Sequence, residues 1–289
     1  MSHRPVASPL HAARAGAAAA YCMAFAAAGL VFEHPLVLGA LGVALVASAA
    51  ACGVAGALAT PLRLAVPLAL SVLVVNALVS RGGLTVLARL GELGPLGQVD
   101  ITLEAVVTGG VMALRVTVVV LAAGIFAAVV DPDGLLRLFR RVSFRSALTA
   151  VLATRLIPVL ARDARRLDDA RRCRPGEAVP GRVAVLRAVA TGALDRAVDV
   201  AATLEVRGYG TRGPWPAAPR APWSRHDFAV AAAAAAVVTI TVGARLAGVA
   251  SFAADPRLAI PLGPGEVVLA LALGALALAP LADRRGIAR

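Results

Sequence analysis

The chain has 289 residues, of which 59% are apolar and 16% charged. Soluble domains run at about 45–50% apolar and about 25% charged, so a single soluble core is excluded: too few polar groups exist to cover its surface, and the apolar residues come in long uncharged blocks. All 29 basic residues are arginine, against 17 acidic ones, for a formal net charge of +12; without lysine there is no P-loop, whose Lys reaches the β/γ-phosphates, and no Schiff-base chemistry.

A membrane-spanning helix needs about 20 mostly apolar residues, within a range of about 17–25. The first block that qualifies is 15–32, uncharged and preceded by Arg4 and Arg14. Its alanines also suit a cleaved signal peptide, which is the alternative for this segment. Blocks 36–58 and 64–80 follow, the latter starting one residue after Arg63 and containing Pro67. Residues 81–100 read as a glycine-punctuated loop with a short interfacial helix over 84–90. A fourth span, 104–130, is interrupted only by Arg115. From 131 to 226 the chain is charged, arginine-rich and helical in period, with no block long enough to cross. Spans at 228–250, with Arg245 near its far end, and at 260–282 complete a set of six. The expected fold is an all-α polytopic membrane protein with about six transmembrane helices, divided into 1–130, 131–226 and 227–289.

Arginine placement sets the orientation, because basic residues concentrate in cytoplasmic loops. With both termini and the 131–226 segment on one side, that side holds Arg4, Arg14, Arg63, the eighteen arginines from Arg137 to Arg225, and Arg284, Arg285 and Arg289. The other side holds only Arg81, Arg89 and Arg257, with Arg115 and Arg245 inside spans. The termini and the large segment are therefore expected in the cytoplasm, and the basic charge is accounted for without a nucleic-acid partner. Cys22, Cys52 and Cys173, and His3, His11, His34 and His226, are dispersed with no ligand spacing. No metal site and no cofactor is expected.

The cytoplasmic segment predicts two amphipathic helices. In the first, 147–173, Leu152, Leu156, Leu160, Ala164 and Leu167 recur at spacings of four and three, with Arg155, Arg162, Arg165, Arg166 and Asp169 elsewhere. Pro158 lies inside it and is expected to kink it; Pro175-Gly176 ends it. In the second, 182–206, the stripe is Leu186, Val189, Ala193, Ala197, Ala201 and Leu204, which Arg187, Asp195, Arg196 and Asp199 avoid. Each helix finishes in an arginine beside a helix breaker: Ala170-Arg171-Arg172-Cys173-Arg174-Pro175-Gly176, and Ala202-Thr203-Leu204-Glu205-Val206-Arg207-Gly208. Two readings stand side by side. The arginines cap two surface helices, favoured there by the helix dipole, or they point off the helix ends to grip a partner's carboxylate bidentately. Arg115, alone deep in a span, is either a functional charge or a structural one bonded to carbonyls within the bundle. Asn76 reads as interhelical glue.

The order Asp131-Pro132, then Arg155-Leu156-Ile157-Pro158, then two helices each ending in arginine beside a breaker, resembles the transmembrane (T) component of energy-coupling factor transporters, the EcfT/CbiQ family. The family's two Ala-Arg-Gly type motifs fall on Cys173-Arg174-Pro175 and Val206-Arg207-Gly208; the second, within Leu204-Glu205-Val206-Arg207-Gly208-Tyr209, is close, while the first has Cys for Ala and Pro for Gly. The resemblance implies a non-enzymatic scaffold in a bacterial cell membrane. Two long coupling helices would cross and sit on a homo- or heterodimer of ABC-type ATPases, with Arg174 and Arg207 docking into a groove on each. Ala170, Cys173, Pro175, Glu205, Val206, Gly208 and Tyr209 neighbour those arginines. A separate small membrane subunit, the S component, would bind a vitamin or a metal ion such as cobalt. Leu152, Leu156, Pro158 and Leu160 on the first helix, and Ala193, Ala197 and Leu204 on the second, are expected to pack helix on helix and against that subunit.

Two other classes are set against this one. A stand-alone secondary transporter or channel calls for intramembrane acids or broken helices near the midplane, whereas Glu33, Glu92, Asp100, Glu104, Asp255 and Glu266 fall in or near the outer loops. A membrane enzyme calls for a clustered nucleophile, metal or acid–base set, and none is visible in the sequence.

Overall fold

The structure is a computed structural model that describes residues 8–79, 85–92, 98–139, 144–173, 181–208, 222–250 and 263–283. The chain forms two units, one made of Met1–Leu135 with Trp223–Arg289, the other of Leu136–Pro222.

In the first unit a one-turn helix α1 (Pro9–Ala12) precedes α2 (Ala15–Val31) and α3 (Pro35–Ala51). These two carry no charge and have 17 residues each, about 26 Å at the helical rise of about 1.5 Å per residue. That sits at the short end of what crosses a hydrocarbon core. Then come α4 (Ala59–Val79), α5 (Leu103–Val129), α9 (Arg225–Leu246) and α10 (Pro264–Ala282), all long and apolar enough to cross a membrane. The second predicted span ends early. Rather than continuing to 58, α3 stops at Ala51 because Gly53 takes a left-handed conformation (φ 71°), and a short 3-10 turn over Ala55–Leu58 leads into α4. The third starts five residues before the expected 64, running through Arg63 and Pro67.

The loop expected over 81–100 holds strands instead of a helix at 84–90. β1 (Val86–Glu92) pairs antiparallel with β2 (Gln98–Thr102), with Val86 opposite Thr102, Ala88 opposite Ile101 and Arg89 opposite Asp100. The β-branched Val86, Val99, Ile101 and Thr102 favour a pleated ribbon over a helix, and the apolar run around Leu87 and Leu90 is too short for periodicity to separate the two. Among the described residues this hairpin is the only sheet, and the architecture is that of an all-α polytopic membrane protein.

Packing runs α2 on α5 and α9, α3 on α5 and α10, α9 on α10, and α4 along α5. Tyr21, Phe25, Leu41, Val118, Ile125 and Leu273 are wholly buried where these helices meet. One polar knot lies in that core. The Tyr21 hydroxyl donates to the Ala277 carbonyl (2.7 Å), while the Ser48 hydroxyl donates to Ala44 (2.7 Å) and reaches Ala277 at 3.3 Å. Pro280 deprives the neighbouring Leu276 carbonyl of its ladder donor, and side chains of α2 and α3 bond the Ala277 carbonyl next to it. Tyr21→Phe combined with Ser48→Ala leaves that carbonyl without them and is expected to cost about 2 kcal/mol, read as a lower melting temperature in detergent; Tyr21→Phe alone should cost about half as much. By contrast α4 turns Leu64, Val66, Leu70, Val74, Val75 and Val79 outward. In a bilayer such side chains meet lipid tails as apolar as themselves, so they are not a solubility defect.

The second unit is reached through α6 (Pro132–Phe139), whose first turn is capped by Asp131: its carboxylate accepts from the Asp133 amide (3.1 Å) and the Gly134 amide (2.9 Å). Pro132 follows the cap, where a missing N–H costs nothing. Beyond it lie α7 (Phe144–Arg172) and α8 (Arg182–Val206), the two helices expected from the sequence. The first starts three residues earlier than 147 and continues as one element through Pro158.

Candidate coupling site

α7 presents Leu152, Leu156, Val159, Leu160, Asp163 and Ala164 as its half-buried face, as the four-and-three spacing predicts, except that Leu167 of the expected stripe is exposed. On α8 the half-buried face is Val185, Val189, Ala193, Arg196, Val200 and Leu204. The stripe drawn from sequence is met in half: Val189, Ala193 and Leu204 lie on this face, but Leu186, Ala197 and Ala201 are exposed, as is Pro158 on α7. The helix is apolar around most of its circumference, so hydrophobicity does not choose a face. An ion pair lies on the face that packs. Arg196, expected on the solvent side, reaches the Asp163 carboxylate of α7 at 3.1 Å, and both groups are half-buried. On α7 a second pair, Arg172 with Asp168 at 2.8 Å, links neighbouring turns near the helix end.

The end of α8 is well defined. Arg207 is the C-cap residue, its amide donating to the Thr203 carbonyl at 3.2 Å. Gly208 then adopts φ 77° and donates to the Glu205 carbonyl at 2.8 Å. This is a left-handed C-terminal cap, and it holds the backbone of Arg207 while its side chain stands exposed beside exposed Glu205 and Val206. At the end of α7, Ala170 and Cys173 are exposed and Cys173 is a free thiol. Arg174, Pro175 and Tyr209 lie outside the described residues. Replacing Gly208 with Val forces a β-branched side chain into the left-handed region, at about 1–2 kcal/mol. The expected result is a frayed last turn and weaker retention of whatever Arg207 binds, measured by co-purification, with the rest of the helix content unchanged by circular dichroism.

Arg115 also acquires partners. Its Nη2 donates to the carbonyl of Phe32, the C-cap of α2, at 3.1 Å and lies 3.6 Å from the Glu33 carboxylate. It ties the α2 end to the middle of α5, the kind of carbonyl contact that the structural reading names. Asn76, expected to bond between helices, instead donates to the carbonyl of Val72 within its own helix at 2.9 Å. Among the described residues no three His, Cys, Asp or Glu side chains gather as a metal-binding group.

One cluster escaped the sequence reading. Asp227, in the first turn of α9, accepts from the Arg14 amide (2.6 Å) and the Ser224 amide (2.8 Å) and lies 3.3 Å from Arg14 Nε. The Ser224 hydroxyl in turn accepts from the Asp227 amide (3.1 Å), a reciprocal capping box. The spelling Ser224-Arg225-His226-Asp227 carries that signal, with Asp in place of the usual Glu; nothing in the sequence pairs it with Arg14.

Compared with known protein families, the chain matches the CbiQ family, described as cobalt transport protein, over residues 7–215. The match takes in α1 to α8, so it extends well upstream of the 131–209 stretch that carries the motifs, and leaves α9 and α10 outside it. A search of curated proteins returns no match. With most of its length covered, from the first helix through both amphipathic helices, the chain belongs to the CbiQ family of cobalt transport proteins.

Proposed function

We propose that this chain is the membrane-embedded coupling scaffold of a multi-subunit, ATP-driven importer of the energy-coupling factor type, with cobalt as its cargo. The 131–226 segment lies in the cytoplasm with both termini, between transmembrane parts 1–130 and 227–289. Arg174 and Arg207 dock a pair of ABC-type ATPases, and an S component in the bacterial cell membrane holds the cargo. The observation that carries this reading is the end of α8: a charged, exposed Arg207 fixed by a left-handed glycine at the tip of a 25-residue helix. With the backbone of Arg207 held in advance, only the side chain has to be ordered when its planar guanidinium grips a carboxylate, which supports bidentate docking. Family membership supports the transport role, and a chain without lysine leaves ATP hydrolysis to another subunit.

The test is isolation of the tagged chain from detergent-solubilised membranes. ABC ATPases and a small hydrophobic protein are expected to co-purify and to be identified by mass spectrometry. A chain that purifies alone and moves a solute unaided in liposomes is a stand-alone transporter, and the scaffold reading falls.

A further inference from the structure

The structure assigns a transmission role to the contact between Arg14 and the Trp223–Asp227 turn: this joint locks the exit of the coupling segment onto the start of α2, so that motion of the segment is delivered into the membrane helices. The inference rests on the scaffold reading. It stands on a juxtaposition that ordinary helix capping does not require. The Asp227 side chain is only 3% exposed and receives donors from two different elements, its own cap residue Ser224 and Arg14 at the α1–α2 junction. The Arg14 bond is made by a backbone amide as well as by the guanidinium, so the main chain of α2 is held, not just a long side chain. The same guanidinium lies over the Trp223 ring at 5.5 Å, and that ring stacks obliquely on Phe228 at 5.0 Å. Arg225 adds a tie to Asp283, the C-cap of α10, at 3.5 Å.

The position gives this cluster its meaning. Trp223 is covalently the next residue after the unit that ends at Pro222, and α2 packs on α9 and α5. A pull delivered at Trp223 through a slack loop would dissipate there. Clamped at Arg14, it moves α2 and α9 together. Asp227 and Arg14 are thus positioning residues, acting through the helices they join rather than on cargo.

The experiment uses the complete complex in proteoliposomes, with Co2+ uptake and ATP hydrolysis measured together. Asp227→Asn keeps the acceptor for the Arg14 amide but removes the charge, and Arg14→Gln keeps the amide and removes the guanidinium. Both variants are expected to assemble with their ATPases and to hydrolyse ATP, while Co2+ moved per ATP falls by roughly 3- to 30-fold; Asp227→Glu, which keeps the carboxylate, should recover part of the ratio. Assembled variants with the wild-type ratio overturn the joint and leave the scaffold standing. So does an Asp227→Asn chain that fails to assemble while Arg14→Gln couples fully, since that marks a helix cap and nothing more. A wild-type complex that shows no ATP-driven Co2+ uptake overturns the scaffold reading and the joint with it.

Discussion

On the proposed docking, replacing both Arg174 and Arg207 with alanine is expected to strip the ATPases from the complex altogether. Truncating one member of a buried, hydrogen-bonded charge pair costs about 2–5 kcal/mol, and the lower figure already weakens binding about 30-fold. A scaffold that engages two ATPases through two helix ends is held bivalently, so one lost arginine lowers affinity while leaving the other site to tether the dimer. Losing both removes tether and grip together. The single variants should therefore retain reduced ATPase on the affinity matrix and the double variant none, with the chain itself extracted in normal yield. Arg207→Lys is the sharper control: charge is kept but the planar fork is lost, so retention should fall well below wild type. Equal retention by Lys would mean that the site reads charge alone. Equal retention by the double alanine variant would mean that the helix ends are surface caps.

The second large effect is expected inside the membrane unit. At Gly124 of α5 a Cβ would lie 2.7 Å from Cγ and 3.2 Å from Cβ of Pro61, and 3.2 Å from Leu58. A proline ring cannot rotate aside, so α4 must shift off α5. Among the described residues α4 packs on α5, β2 and the preceding 3-10 turn, and a shift there loosens most of its attachment. Gly124→Ala should cost about 1–3 kcal/mol. At Gly110, on the same helix, a Cβ meets nothing within 4 Å, so Gly110→Ala should stabilise by up to about 1 kcal/mol through helix propensity alone. The same substitution thus moves the detergent melting temperature in opposite directions at two positions 14 residues apart. Equal shifts at both would contradict the close α4–α5 contact.

How far the sequence carried depended on which physical signal was at stake. Spans such as α5, interrupted only by Arg115, and α10 follow from apolar length, and their ends fall within a few residues of the expected ones. The ends of α7 and α8 follow from breakers: Gly208 after Arg207 predicts a left-handed cap, and φ 77° is observed. The failures share a cause. Over 84–90 the apolar run was too short for its period to distinguish strand from helix. On α8, rich in Ala and Val all round, hydrophobic spacing had little contrast to work with, and the packed face carries the Arg196–Asp163 pair, 33 residues apart in sequence. Asp227 and Arg14 are separated by 213 residues, and Arg115 and Phe32 by 83. Local pattern cannot bring such partners together; only the packed bundle does.

In the proposed function this chain carries motion between subunits and neither hydrolyses ATP nor transports alone. The most direct measurement is Co2+ uptake into proteoliposomes holding the chain by itself, the chain with its co-purified partners, and the same complex built on Arg174→Ala/Arg207→Ala. ATP-dependent uptake is expected only from the intact wild-type assembly. Uptake by the chain alone at a comparable rate, or undiminished uptake by the double variant, would contradict the coupling role.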